Sequence, residues 1–218
     1  MAVYSSNTAP EDKDCWQTPQ WLFEALTLEF GFWLDAAANE QNALCPYFLT
    51  IEQNALQSDW VSRGAIWCNP PYSKIKPWIA KAAEQCTKQN QPIVMLLPAD
   101  KSTSWYSLAL KSVDEVRTII DGRINFVDPN TGKEKKGNSK GSILLIWRPF
   151  VEPKAIGTHV SKNRLMEIGN AILGVAAWES TLTNNALKLL KRVVNSTPLT
   201  QTTSKACAGT TNYYPEEC

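Results

Sequence analysis

Two stretches, "PIVMLLPA" (92–99) and "GSILLIW" (141–147), constrain the fold of this chain more than any other feature. An unbroken apolar run bounded by turn residues fits a strand covered on both faces, because a strand with one wet face would alternate. Helical patterns surround these runs. "TPQWLFEALTLEFGF" places Thr18 as an N-cap, Pro19 in the first turn, and Trp21, Leu22, Ala25 and Leu26 on one face. A short strand follows at Phe32 to Leu34, ending in Asp35, and "NEQNALC" is read as the start of a helix. Further strands are expected around Tyr47 to Thr50 and Ala65 to Cys68, then a helix over "SKIKPWIAKAAEQCTKQ", and strands at "VDEVRTII" and "GRINFVD". Such alternation predicts an α/β fold with a parallel sheet, in which ligands sit beyond the carboxyl ends of the strands.

With 218 residues, 44% of them hydrophobic, the chain can bury one substantial core and not two. The expected division is a loose start over 1–14, a main domain over 15–153, a helical extension over 154–195 and a disordered tail over 196–218. Within the extension, "SKNRLMEIGNAILGVAAW" and "NNALKLLKRVVN" are read as helices. Lysine and arginine number 22 against 21 acids, so a polyanionic partner must be met by a local patch. The six cysteines show no CxxC pairing, which argues against a disulfide framework or a zinc knuckle. With no charged-then-apolar leader in view, the chain reads as a soluble resident of a reducing compartment. No apolar run approaches the roughly 20 residues of a membrane span. His159 is the single histidine, which leaves little material for a Ser-His-Asp hydrolase or a histidine-ligated metal; no metal site is expected. Glu24, Glu29, Asp100 and Asp114 lack the paired spacing of a two-metal nuclease. The nine tryptophans are read as core and rim anchors.

Three stretches fall just after strands, where function is expected: Asp35-Ala36-Ala37, Asn69-Pro70-Pro71-Tyr72 and Pro98-Ala99-Asp100. The second is the most informative. The amide oxygen of Asn69 and the carbonyl oxygen of Pro70, stiffened by two successive proline rings, offer two acceptors to a planar amine. Accepting both of its protons favours a pyramidal nitrogen whose lone pair can attack a methyl donor. Tyr72 adds a flat face for the ring that carries the amine, and the prolines remove competing N–H donors. The plain alternative is an ordinary turn, since Asn-Pro commonly starts one.

"CWQTPQWLFEAL", "LDAAANEQNALC", "NALQSDW", "WCNPPYS", "MLLPADKSTSW", "GRINF" and "GSILLIW" occur here in an order that resembles the phage-type DNA N6-adenine methyltransferase family, Dam-like, over about Trp16 to Pro149. The resemblance implies a Rossmann-like S-adenosylmethionine-dependent methyltransferase fold acting on a flipped adenine in double-stranded DNA. It further implies Asn69, Pro70, Pro71 and Tyr72 as the catalytic tetrapeptide. Carried over by position, Thr18 and Pro19 would hold the donor's amino-acid end, Asp35 and Ala36 would line the donor loop, and Asn54 or Asp59 would border the adenosine. The expected setting is the cytoplasm of a bacterium or phage-infected host, with restriction-modification one possible context. The donor loop carries alanines where methyltransferases usually have glycines. The interval from Asp35 to Asn69 is also short for three full crossovers of about a dozen residues each, so an abbreviated sheet is expected.

Lys133, Lys135, Lys136 and Lys140 fall in one glycine-containing turn, either a solvated tip or a phosphate-contacting loop, with Arg123 and Phe126 before it to hold or replace the flipped base. The alternatives of another class are a catalytically silent DNA-binding module and an NPPY-type methyltransferase of RNA adenine or protein glutamine.

Overall fold

A computed structural model describes residues 14–196 of the chain. The expected loose start and the expected disordered tail lie, apart from Asp14 and Ser196, outside the described residues. Helix α1 (Gln20–Phe30) is stopped by Gly31, whose left-handed φ of 66° lets its N–H reach Thr27 O. Strands β1 (Phe32–Asp35) and β2 (Tyr47–Phe48) follow, then β3 (Ala65–Cys68) and a 3-10 turn at Tyr72–Lys74 that runs into α2 (Ile75–Gln89). Next come β4 (Ile93–Pro98), α3 (Ser104–Ala109), β5 (Glu115–Ile120), β6 (Ser142–Trp147), β7 (Ile156–Ser161) and α4 (Lys162–Ser196).

The seven strands form one sheet in the order β2-β1-β3-β4-β6-β5-β7. All neighbours are parallel except those of β6, which runs antiparallel to both β4 and β5. The expected parallel sheet is therefore mixed, with one reversed strand next to the central β4. Period-2 geometry divides the core into two layers. Ile93, Met95 and Leu97 of β4 face α2 and α3 through Ile79, Ala82 and Ala109. Val94 and Leu96 face α1 through Trp21, Leu22 and Leu26, joined by Leu165 of α4. Both β4 and β6 are buried on both faces, as their composition requires.

Several local expectations are corrected. Pro19, not Thr18, occupies the N-cap of α1, and no side chain caps that end. "NEQNALC" forms turns pinned by Asn39 and Asn42 side chains to backbone N–H groups, a local bonding that competes with helix. "GRINFVD" makes no ladder; Val127 alone bridges Gln17 and Glu134. β7 was not expected, and the two helices read after it are one. Short β2, with no helix between β1 and β3, supplies the abbreviation that the spacing demanded. A compact unit closes at Ala176, and a second begins at Ala177 with the remainder of α4. Among the described residues no helix is long and apolar enough to cross a membrane, and no group of three His, Cys, Asp or Glu is placed to hold a metal ion.

Candidate active site

From β1 the chain moves outward to β2, then returns to β3 on the other side. The order reverses between β1 and β3, and a crevice opens where such a switch occurs. Their register, Asp35 opposite Trp67, brings the two following loops side by side, and Ala36 N–H extends the pairing to Trp67 O at 2.9 Å. A cavity of about 540 Å³ lies there, lined by Asp35, Ala36, Asn54 and Asn69 and by Thr18 from the segment before α1.

Asp35 is buried, and its oxygens accept N–H groups of Ala37 at 3.2 Å and Leu44 at 3.3 Å. Burial nevertheless raises its carboxyl to about 6, against the lowering effect of those two bonds. Asn54 lines the cavity from a left-handed turn, φ 49°, a conformation asparagine tolerates better than most residues.

Asn69 directly follows β3. Its Nδ2 donates to Trp16 O at 3.1 Å, which fixes the orientation of the amide, while its buried Oδ1 has no hydrogen-bond partner among the described residues. An unsatisfied buried acceptor costs on the order of 1–3 kcal/mol and calls for a donor from a ligand. Thr18 Oγ1 is unsatisfied in the same way. Pro70 is buried, and Pro71 lines the cavity.

Tyr72, read from sequence as a flat face for the ring that carries the amine, is half-buried and packs against both core layers. Its ring meets Phe126 edge-on, with centroids 6.3 Å apart and planes at 84°. The hydroxyl is buried without a partner; burial, with the neighbouring Cys68 thiol adding, pushes its ionisation well above the usual range.

Other residues singled out from sequence lie elsewhere. Pro19 caps α1 and does not line the cavity. Asp59 accepts from Lys88 Nζ at 2.7 Å and from Gln85 at 3.4 Å, also outside it. Arg123 donates to Asn138 O at 2.9 Å, and Phe126 is a core residue. Lys140 pairs with Asp100 at 2.5 Å. Lys135 lies 5.3 Å above the Trp16 ring and 4.0 Å from Asp128. Lys133 and Lys136 are exposed with no acidic partner among the described residues.

Sequence reasoning missed a strap formed by residues 126–135. Its backbone closes on itself through Lys135 N–H to Phe126 O at 2.9 Å, and Val127 exchanges two bonds with Gln17 at 2.9 and 3.0 Å. Glu134 accepts from Trp21 Nε1 at 2.8 Å. The strap thus holds the segment whose Trp16 carbonyl orients Asn69, and its tip, Pro129 and Asn130, lines the cavity. Taken together, the crevice offers one oriented, unsatisfied acceptor, with Pro70 and Tyr72 adjacent in the chain but not among the lining residues, and a second subsite around Thr18, Asp35 and Asn54.

The family described as DNA N-6-adenine-methyltransferase (Dam) matches residues 5–172. A DNA N-6-adenine-methyltransferase of Haemophilus phage HP1 is 36% identical over 167 residues, 75% of this chain and 96% of that protein. One of Escherichia phage T1 is 38% identical over 169 residues, 71% of each chain.

Proposed function

The chain belongs to the DNA N-6-adenine-methyltransferase (Dam) family, and from that premise we propose that this DNA adenine methyltransferase moves a methyl group from S-adenosylmethionine to N6 of an adenine flipped out of double-stranded DNA. The single observation that carries the site assignment is the buried, partnerless Oδ1 of Asn69 at the end of β3.

The residues present suit such a donor. The cavity has the volume for a nucleoside-sized ligand, and it contains an unsatisfied hydroxyl at Thr18 and a buried carboxylate at Asp35 for the donor's polar groups. Ala36, Ala37 and Ala38 keep the loop after β1 small, so that a ligand approaches the backbone closely. When bound, the donor supplies an electrophilic methyl carbon.

In this reading Asn69 Oδ1 accepts a hydrogen bond from an N–H of the target amine while its Nδ2 stays fixed on Trp16 O. That preorganisation draws lone-pair density away from the purine ring and onto N6, an effect felt most in the transition state. Pro70 and Pro71 contribute no N–H groups, so no backbone donor of theirs competes for the acceptor. Tyr72 presents its ring to the base, with Phe126 supporting it from behind.

Labelled S-adenosylmethionine incubated with the protein and duplex DNA should place label on adenine N6. Label on cytosine, or on protein glutamine in place of DNA, overturns the proposal.

A further inference from the structure

We propose that Lys74 binds a backbone phosphate of the target nucleotide, a contact that rests on the reading of Asn69 to Tyr72 as the target-amine site. Base, sugar and phosphate are one covalent unit, so a base that reaches Asn69 brings its phosphate to the rim of the same cavity. Among the described residues Lys74 is the single cationic side chain lining that cavity. It is exposed, and among the described residues it makes no ion pair. Lys81 pairs with Glu84, Lys88 with Asp59, Lys135 with Asp128 and Lys140 with Asp100, whereas Lys76, Lys133 and Lys136, exposed and without an acidic partner among the described residues, do not line the cavity.

Lys74 is also well anchored. It closes the 3-10 turn that Tyr72 opens, with its N–H on Pro71 O at 3.4 Å. The preceding Ser73 N–H is held by Asp14 Oδ1 at 2.9 Å. The stem therefore leaves from the same rigid segment that presents the ring to the base, so base and phosphate are met by one element. A compact ammonium on a flexible stem suits a phosphate as a point charge, and each neutralised phosphate adds a salt-dependent increment to DNA affinity.

The test measures methyl transfer to plasmid DNA, with saturating labelled S-adenosylmethionine and several salt concentrations. Lys74→Ala should lower kcat/KM for DNA about 5- to 10-fold near 0.1 M salt and make its salt dependence shallower by about one unit of slope. Lys74→Glu should be worse and Lys74→Arg close to wild type. Donor affinity by calorimetry, the melting temperature and kcat at saturating DNA should hold. Lys111→Ala, in a separate cavity beside Trp147 and Pro149, serves as the unchanged control. Weakened donor binding with an unaltered salt slope would make Lys74 a ligand of the donor's carboxylate and overturn the proposal. A Lys74→Ala protein equal to wild type in both measures overturns it as well, while leaving the amine-site reading intact. A wild-type protein that labels no adenine removes that reading itself, and is recognised without any variant.

Discussion

In the proposed reaction Asn69 carries the most chemistry per atom. Asn69→Ala removes an acceptor that is already oriented by Trp16 and has no protein partner among the described residues. Methyl transfer at saturating donor and DNA should fall by about 10² to 10³, equivalent to about 3–4 kcal/mol, with both affinities nearly unchanged. Single-turnover rates near wild type would return "NPPY" to an ordinary turn. Tyr72→Phe should be mild, because the lost hydroxyl makes no bond, whereas Tyr72→Ala removes the ring itself and opens a void against Phe126. Asp35 gives a pH signature. Its carboxyl is raised by burial to about 6 from the ordinary 3.8, so the folded protein holds that proton more tightly than the unfolded chain. The stability it contributes is full below about pH 4, is lost as pH rises through about 6, and levels off above. The loss amounts to roughly 3 kcal/mol, two pH units at about 1.4 kcal/mol each. Asp35→Asn should therefore melt above wild type at pH 8 and alongside it near pH 4, while weakening donor binding. A difference independent of pH would mean that the buried charge is not its source.

Among the elements, the strap and the loop that follows it separate lysines by the partners they already have. Lys133 and Lys136 are free to meet phosphate, whereas Lys140 must first leave Asp100, whose carboxyl the Lys140 hydrogen bond holds down at about 2. Lys133→Ala with Lys136→Ala should flatten the salt dependence of DNA binding by about two units, and Lys140→Ala by less than one. Fluorescence anisotropy over a salt series measures both; equal slopes for all variants would leave this a solvated loop. The strap also reaches α1 through Glu134 and Trp21, and α4 lies against that same corner. A Cβ added at Gly169 would collide with the Trp21 carbonyl, so glycine there is a condition of close helix approach. None of this has a local sequence signature. Trp16 acts on Asn69 through a backbone carbonyl, which every residue possesses, and the two are joined only by the fold.

For the molecule as a whole, the alternation of strands and helices was legible because period and apolarity are local. The direction of β6 was not, since a strand buried on both faces reads the same either way up. β7 was missed because an edge strand with one partner needs only a weak apolar face, and in "IGTHVS" that face is Ile156, Thr158 and Val160, of which Ile156 is exposed. Ile124 and Phe126 misled in the opposite sense: both are core residues, yet they reach the core from a loop and not from a ladder. The interval "ESTLT" left between the two expected helices is polar, but a helix whose side chains are solvated there needs no apolar stripe to continue. Asp35 and Asn69 could be singled out as candidates because one ends β1 and the other directly follows β3, at the switch where an α/β sheet opens. The same logic bounds the catalytic part of the chain. Both core layers and every cavity-lining residue precede Ala176, where the first compact unit closes, and the family match ends at residue 172. From Gly174 through Leu189 the side chains of α4 are exposed, so that stretch buries almost no apolar area and contributes little to the fold. A chain ending at Ala176 should keep its melting temperature within a few degrees and its single-turnover transfer rate within about twofold. Loss of cooperative unfolding, or a tenfold fall in transfer, would instead make the distal helix part of the enzyme.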